Sequence, residues 1–403
     1  MNGVEFVAFC RSHKGQTLIK EVQDLLERQG GDLPSVVLAL KKGRSDDPAL
    51  LSKVAELCLA RRKAGPLVPW ANEGFFTLQA LEQSTAPQVA HYHAQSFSGA
   101  ATLLEVGGGI GFDTIALARI AGSVTVLEPD LERAPLLLAN MELVGAANVT
   151  VHAKSVEEFC LHNSMSGFEA LWADPSRREG EVRIKDPARY RPSLVWLLRQ
   201  ALPERVGIKI APGARLDFEP EMAALSREWI GMRDECREQI LWRGVNKDAL
   251  SVTLVDKQQT FSPLEYPSEV GVVDLSLELP RYLFEPHAAV IAAGCVAQLF
   301  NQHGIKAIDR RIAYGVSEHR PAESAWVKAL RILEHFPYSR RRLDHAVQAQ
   351  GFGRQSTVKK RGLAQSAEEL HAHIAWAHKG EIAGVVVMAR VGNGQHAFLC
   401  EWC

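Results

Sequence analysis

Two short stretches of this 403-residue chain combine acids, glycines and a proline in ways that could hold a nucleotide-type cofactor and act on a second molecule. The first is Leu103-Leu104-Glu105-Val106-Gly107-Gly108-Gly109-Ile110-Gly111-Phe112-Asp113, followed by Thr114-Ile115-Ala116-Leu117-Ala118-Arg119. An apolar run of buried-strand character ends in an acid, a glycine turn follows, and a helix begins. A turn without side chains lets a ligand approach the backbone, and the helix N-terminus offers free N–H groups. Dinucleotide sites use G-x-G-x-x-G, which counted from Gly107 requires glycine at 112, where Phe112 stands. The glycines fall instead at Gly107, Gly109 and Gly111, with Glu105 two residues before the first. The next apolar run, Ser123 to Leu127, ends in Glu128, about where an acid accepts from both ribose hydroxyls in dinucleotide-type folds. The second stretch is Asp174-Pro175-Ser176-Arg177-Arg178. Its proline stiffens a turn that carries a carboxylate, and its arginines can stack on a base or hold a phosphate. The alternatives are a ligand-free glycine turn and a plain Asp-Pro turn with solvated arginines. The coincidence of turn, first acid and second acid favours a ligand.

The elements that must position these residues read as alternating strands and helices from about 100 to 256. Strands are predicted at 101–106, 123–128, 149–152, 168–173 and 205–210, with helices at 131–143 and 156–161 between them. Three further strands near 228–234, 237–243 and 250–255 follow with short connections. This is the pattern of a parallel, doubly wound α/β sheet covered on both faces, with ligands at the carboxyl ends of its strands. After the third strand, Ser155 either caps the helix that begins at Val156 or faces the ligand. After the fifth, the segment Lys209 to Asp217 is either the rim of the same cleft or a turn with surface charges. Residues 1 to 95 read as helices, among them Leu18 to Leu26 and Leu50 to Leu59, punctuated at Gly30-Gly31 and at 43–48. Arg61-Arg62-Lys63 is a helix-end basic cluster or part of an RNA surface. Glu82-Gln83-Ser84-Thr85 and Val89 to Ala94 lie just before the first strand. They form either an amphipathic helix with a Ser84 or Thr85 cap or a segment that closes over a bound ligand.

The turn with Glu105, Gly107, Gly109 and Gly111 resembles the E/D-x-G-x-G-x-G turn of class I S-adenosylmethionine (SAM) methyltransferases. SAM carries an ammonium and a sulfonium and no pyrophosphate, so a carboxylate suits it there. Asp174-Pro175-Ser176-Arg177-Arg178 resembles the D/N-P-P-x motif of methyltransferases acting on exocyclic base amines, with Ser176 departing from the second proline. Together with Glu82 to Thr85 and Lys209 to Asp217, the chain resembles bacterial SAM-dependent methyltransferases with a C-terminal THUMP-like domain. The resemblance implies SAM held by Glu105, Gly107, Gly109, Gly111, Asp113 and Glu128. Ser155 would accept from the adenine amine, and Gln83 and Thr85 would lie at the methionine end. It implies Asp174, Pro175 and Arg177 at the acceptor, and an RNA substrate.

Length suggests two or three domains: an N-terminal helical region (1–95), a methyltransferase domain (96–256), a linker (257–280) and a small α/β, THUMP-like module (281–403). The apolar fraction of 46% allows large cores, and a net charge of −1 excludes a global basic field. Residues 305–361 nevertheless hold thirteen Lys/Arg against five Asp/Glu, an electrostatic footprint for phosphate backbone or a solvated face. Within the module, helices are expected from Pro286 to His303 and over 366–379, and a terminal hairpin turns at Asn393-Gly394. There is no transmembrane-length run or signal peptide, and seven scattered cysteines fit reduced core thiols, so a cytoplasmic location is expected. Cys400 and Cys403, with His396 nearby, fall short of a zinc site. The expected activity is methylation of a base nitrogen, guanine N2 or adenine N6, in tRNA or rRNA. No Cys lies in the fourth-strand motif, which argues against a C5-pyrimidine mechanism. The rival readings are a SAM enzyme acting on a protein or small molecule, and a non-catalytic RNA-binding protein on the same scaffold.

Overall fold

The computed structural model describes residues 1–41, 47–179, 182–214, 216, 224–276, 280–320, 322–378 and 380–403. They form two compact units, Met1–Glu228 with Glu238–Ala249, and Trp229–Arg237 with Leu250–Cys403. Among the described residues no helix is long and apolar enough to cross a membrane.

Unit 1 opens with four helices, α1 (Gly3–Arg11), α2 (His13–Arg28), α3 (Leu33–Lys41) and α4 (Pro48–Ala64). Their starts are capped by side chains: Asn2 in a capping box with Glu5, Ser12 on Gly15, and Asp47 on Ala49 ahead of Pro48. Leu18, Ile19, Val22 and Leu26 make one face of α2 and enter a core that also takes in Leu136 and Ala139. The helical region thus shares this core with the helix that carries Leu136 and Ala139. Two short helices, α5 (Leu78–Gln83) and α6 (Pro87–Gln95), lead to the first strand.

The sheet uses β1 (Thr102–Val106), β2 (Ser123–Leu127), β3 (Val149–His152) and β4 (Ala170–Ala173), separated by α7 (Phe112–Ala118), α8 (Arg133–Leu143) and α9 (Val156–Phe159). A small hairpin, β5 (Arg178–Glu179) and β6 (Val182–Arg183), and α10 (Leu194–Leu198) precede β7 (Arg205–Ile210). Strands β3, β2, β1, β4 and β7 pair in that order, all parallel. The chain then runs through β8 (Ser226–Met232) and β9 (Glu235–Arg243), and Gln239–Arg243 pairs antiparallel with β7. The order reverses at β1, with β2 on one side and β4 on the other. That is the switch point at which open α/β sheets form their ligand crevice. The glycine turn leaves the end of β1 and Asp174 leaves the end of β4.

In unit 2, β10 (Leu250–Leu254) pairs with β11 (Gln259–Phe261). Residues 257–280, expected as a linker, therefore contain a strand, and Val272 bridges Ala307; residues 277–279 lie outside the described residues. A seven-stranded sheet follows from β12 (Tyr282–Pro286), β13 (Lys306–Asp309), β14 (Ile312–Ser317), β15 (Val327–Pro337), β16 (Thr357–Arg361), β17 (Val385–Val391) and β18 (Gly394–Trp402). Its spatial order is β13-β14-β12-β15-β18-β17-β16. The helix expected from Pro286 to His303 is two helices, α11 (Ala288–Ala292) and α12 (Val296–His303). Gly294 adopts φ +70° between them, a conformation that ends a helix. Helix α13 (Arg340–Ala349) and the short α14 (Ala367–His373) complete the unit. The latter stops well before residue 379 because Ile374 is extended. The terminal hairpin β17–β18 turns at Gly392 and Asn393, with Val391 opposite Gly394.

Candidate active site

The glycine turn begins where the Gly107 N–H donates to the Leu127 carbonyl at 2.8 Å. Gly107, Gly109 and Gly111 all have positive φ, which residues with a Cβ rarely adopt. Gly107 has a second reason to be glycine: a Cβ there would sit 2.5 Å from the Asp174 carbonyl oxygen. The Asp174 N–H in turn donates to Val106 O at 2.9 Å. The two stretches singled out in the sequence are therefore packed backbone to backbone. A Cβ at Gly109 would meet nothing within 4 Å, so that glycine faces open space. Asp113 lies in the first turn of α7, directly beyond Gly111.

Glu105 sits at the penultimate position of β1 and is fully buried. Neither of its carboxylate oxygens has a hydrogen-bond partner among the described residues. Burial pushes its carboxyl well above the usual range, and the neighbouring charges of Asp113, Asp174 and Glu128 push it the same way; the Thr114 hydroxyl, close by but outside hydrogen-bond geometry, works against them. Glu128 follows β2 and is engaged with backbone, accepting from Gly109 N at 2.8 Å and from Asp130 N at 3.0 Å. It braces the glycine turn, and each oxygen keeps a lone pair for a further donor. Ser155 caps α9, accepting from Glu158 N at 3.2 Å. Gln83, at the end of α5, has a buried Nε2 without a partner among the described residues.

The Asp174 turn is held from behind. Pro175 is buried, and Ser176 forms a two-way backbone bridge with Arg191, its N–H donating to Arg191 O at 2.9 Å. A proline at 176 has no N–H to donate, which is a physical reason for the departure from D-P-P. Arg177 is half-buried and Arg178 exposed. The Arg177 Nη1 atom is buried without a partner among the described residues. Of the segment from Lys209 onward, Arg215 and Asp217 lie outside the described residues.

Sequence reasoning missed what joins these residues. The Lys209 ammonium at the end of β7 donates to Asp174 Oδ2 at 2.8 Å and to Thr85 Oγ1 at 2.9 Å, and lies 3.5 Å from Glu238 Oε2. Thr85 donates its own hydroxyl to Asp113 Oδ2. His93, on α6, sits between Asp113 Oδ1 at 3.4 Å and Glu238 Oε1 at 2.5 Å, its ring 4.5 Å from that of Trp172. Thr85, His93, Asp113, Lys209 and Glu238 are all buried, whereas the Asp174 side chain remains 24% exposed. Thr85 and Asp113, expected beside the cofactor, thus spend at least part of their hydrogen-bonding capacity on this cluster.

Its charges support one another. Burial alone would neutralise His93, but Glu238 and Asp113 outweigh it and raise the imidazole to about 9. Burial would raise Glu238, but His93 and Lys209 hold it down to about 2. Burial works against the Lys209 ammonium, yet Asp174, Glu238 and Asp113 raise its pKa. Burial raises the Asp174 carboxyl, against the pull of Lys209 and Arg177. The signal for Glu238 was present in the sequence. It shares one strand face with Ile240 and Trp242, both buried, so its side chain had to enter the core.

In unit 2, the basic stretch 305–361 is extensively paired. Arg311 binds Asp309, Lys328 Asp234, Arg331 Glu401, Arg340 Asp344 and Arg342 Glu334; Lys359 and Arg361 share Glu285. Arg310, Arg341 and Arg354 are exposed. Cys400 is buried in the core, and His396 lies 3.0 Å from His335 Nδ1.

Residues 327–402 match the THUMP domain-like family. The chain is 27% identical over 368 residues to proteins from two Mycobacterium tuberculosis strains described as uncharacterized S-adenosylmethionine-dependent methyltransferases, covering 86% of this chain and 96% of theirs. A crystal structure of a proposed methyltransferase from Porphyromonas gingivalis W83 shares the fold at a TM-score of 0.73 and 18% identity, over 96% of this chain and 98% of that one.

Proposed function

We propose that this S-adenosylmethionine-dependent methyltransferase, a class I fold joined to a THUMP-like module, methylates a base nitrogen of tRNA or rRNA, either guanine N2 or adenine N6. The observation that carries the reading is the packing of the Asp174-Pro175 turn against Gly107, near Glu105, whose carboxylate has no hydrogen-bond partner among the described residues. A buried, unpartnered carboxylate suits an ammonium group, and Glu105 would hold that of SAM. Gly107, Gly109 and Gly111 would admit the cofactor to the backbone, and Glu128 would accept from its ribose. Ser155 would face the adenine, with Asp113, Gln83 and Thr85 toward the methionine end. When bound, SAM supplies an electrophilic methyl group on a sulfonium.

The work of this chain's own residues is at the acceptor. A base amine is a poor nucleophile because its lone pair is delocalised into the ring. Accepting its hydrogens on Asp174 and on a carbonyl of the same turn favours the pyramidal nitrogen that can attack. Buried Pro175 keeps that turn rigid, and Arg177 stands beside it to stack on the base or meet a phosphate. The THUMP-like module would supply RNA affinity through those basic side chains of 305–361 that carboxylates leave exposed, such as Arg341 and Arg354.

The test is methyl transfer from labelled SAM to total RNA from cells lacking the protein, followed by nucleoside mass spectrometry. A new methylated purine is expected. Asp174→Ala should lower transfer on the order of 10²-fold while SAM affinity is kept. Label entering only protein or small molecules would overturn the RNA reading.

A further inference from the structure

We propose that Lys209 is the positioning residue of the acceptor site: its ammonium covers Oδ2 of Asp174 and leaves Oδ1 to accept the target N–H. The inference rests on the reading of Asp174 as the acceptor-side carboxylate. Three observations carry it.

The first is the direction of the pair. The Lys209 side chain is 4% exposed and that of Asp174 is 24% exposed, so the cation is interior and the carboxylate opens outward. The ammonium is committed to Thr85, Asp174 and Glu238, which are fixed on three different segments. It therefore cannot swing out to meet a substrate itself, and Asp174 is the member of the cluster that can.

The second is chemical. A protonated carboxylic acid offers a donor and loses acceptor strength, the reverse of what an N–H of the target requires. Burial and the charge of Asp113 both favour that neutral form, and Lys209 at 2.8 Å is the nearest opposing charge, with Arg177 behind it. The third is the bracing. Glu238 faces the lysine with Oε2 and His93 with Oε1, and His93 in turn faces Asp113. Thr85 takes Lys209 on its oxygen and gives its proton to Asp113. The position of Lys209 is thus set by α6, α7, β9 and the segment after α5 together. Buried ion pairs are poor stabilisers compared with apolar packing, so a cluster of this size is better explained by a task than by stability.

The decisive experiment uses the full chain and needs no substrate for its first arm. Carboxyl-¹³C NMR titration of Asp174, assigned by loss of its signal in Asp174→Asn, is run on wild type, Lys209→Met and Lys209→Arg. Removing the ammonium should raise the Asp174 midpoint by about one unit or more, a tenfold change, and Lys209→Arg should restore it. In the second arm, methyl transfer to RNA by Lys209→Met should fall on the order of 10²-fold in kcat, with SAM affinity within about threefold. Its acidic limb should move up with the midpoint. If the midpoint moves but wild type methylates no RNA, the RNA reading fails and the role of Lys209 stands. An unmoved midpoint, or SAM affinity lost in step with kcat, overturns the proposal. Should Lys209→Met fail to fold, Thr85→Val removes one anchor of the lysine and must shift the midpoint in the same direction by less; no shift there also overturns it.

Discussion

His93 in unit 1 and His396 in unit 2 are both buried, and burial pushes each imidazole toward neutrality. They end in opposite states. His93 lies between two carboxylates and is raised to about 9, while His396 faces His335 and the guanidinium of Arg342 and is lowered to about 4. Around the first, charges are gathered and kept at the carboxyl ends of the strands. Around the second, a neutral pair lies beside Phe398 on the β15–β18 ladder, at 5.7 Å and 5.0 Å between ring centroids. Burial sets the stakes in both places, and the neighbours decide whether the buried group is an ion or an aromatic filler.

The largest expected break in this contrast comes from the carboxylate side of unit 1. Glu238→Gln leaves His93 and Lys209 short of a counter-charge and should cost about 3–5 kcal/mol, read from urea unfolding. Preserved stability would mean that the cluster is solvated or rearranged.

The next effect is pH-dependent and opposite in sign for the two histidines. His93 is raised from 6.5 to about 9, so its contribution is complete below 6.5 and disappears as pH rises through about 9. Glu238 is lowered from 4.5 to about 2, so its contribution is complete above 4.5 and disappears as pH falls through about 2. His396 is lowered from 6.5 to about 4, so its contribution is complete above 6.5 and is lost as pH falls through about 4. Hydrogen exchange followed by mass spectrometry from pH 4 to 9, corrected for intrinsic rates, should show α6 weakening toward alkali and the β15–β18 ladder toward acid. Parallel behaviour of the two would contradict the assignment of their charge states. His335→Phe sharpens the same contrast, because removing the partner imidazole should reduce the acid sensitivity of β18 while α6 is unchanged.

Smaller effects belong to the surface. If Arg341 meets phosphate, Arg341→Ala should lower the slope of log RNA affinity against log salt by about one and weaken all sequences alike. Arg340 pairs with Asp344 one helical turn away at 2.8 Å, both partly exposed. Arg340→Ala should cost about 0.3–0.5 kcal/mol, and a larger loss in thermal unfolding would show that this pair does more than decorate α13.

The sheet of unit 1 was legible because alternation of apolar strands with helices leaves few topologies, and the glycine spacing marked the end of its first strand. The Asp174 turn was legible for the same reason: a strand end is a position in the chain. In unit 2, Gly294 divided a helix that periodicity alone had joined, and a strand lay inside what composition presented as a linker. The basic count of 305–361 was correct as a count and incomplete as a field. Partners such as Asp234, Glu285 and Glu401 lie outside the window and reach it only through folding.

By itself the sequence determined the residues of local motifs: a turn that must be glycine at Gly107, Gly109 and Gly111, acids at Glu105 and Glu128, and a stiff Asp174-Pro175 turn. Local motifs are readable because backbone conformation and nearest-neighbour spacing are short-range properties. Tertiary structure alone decided how the side chains of these motifs are engaged. It left Glu105 without a hydrogen-bond partner among the described residues, gave Ser155 to a helix cap and Glu128 to the glycine turn, and brought Thr85, His93, Asp113, Asp174, Lys209 and Glu238 from six segments to one place. The state of a buried charge depends on how far it is from water and which charges surround it, and neither is defined until the chain has folded.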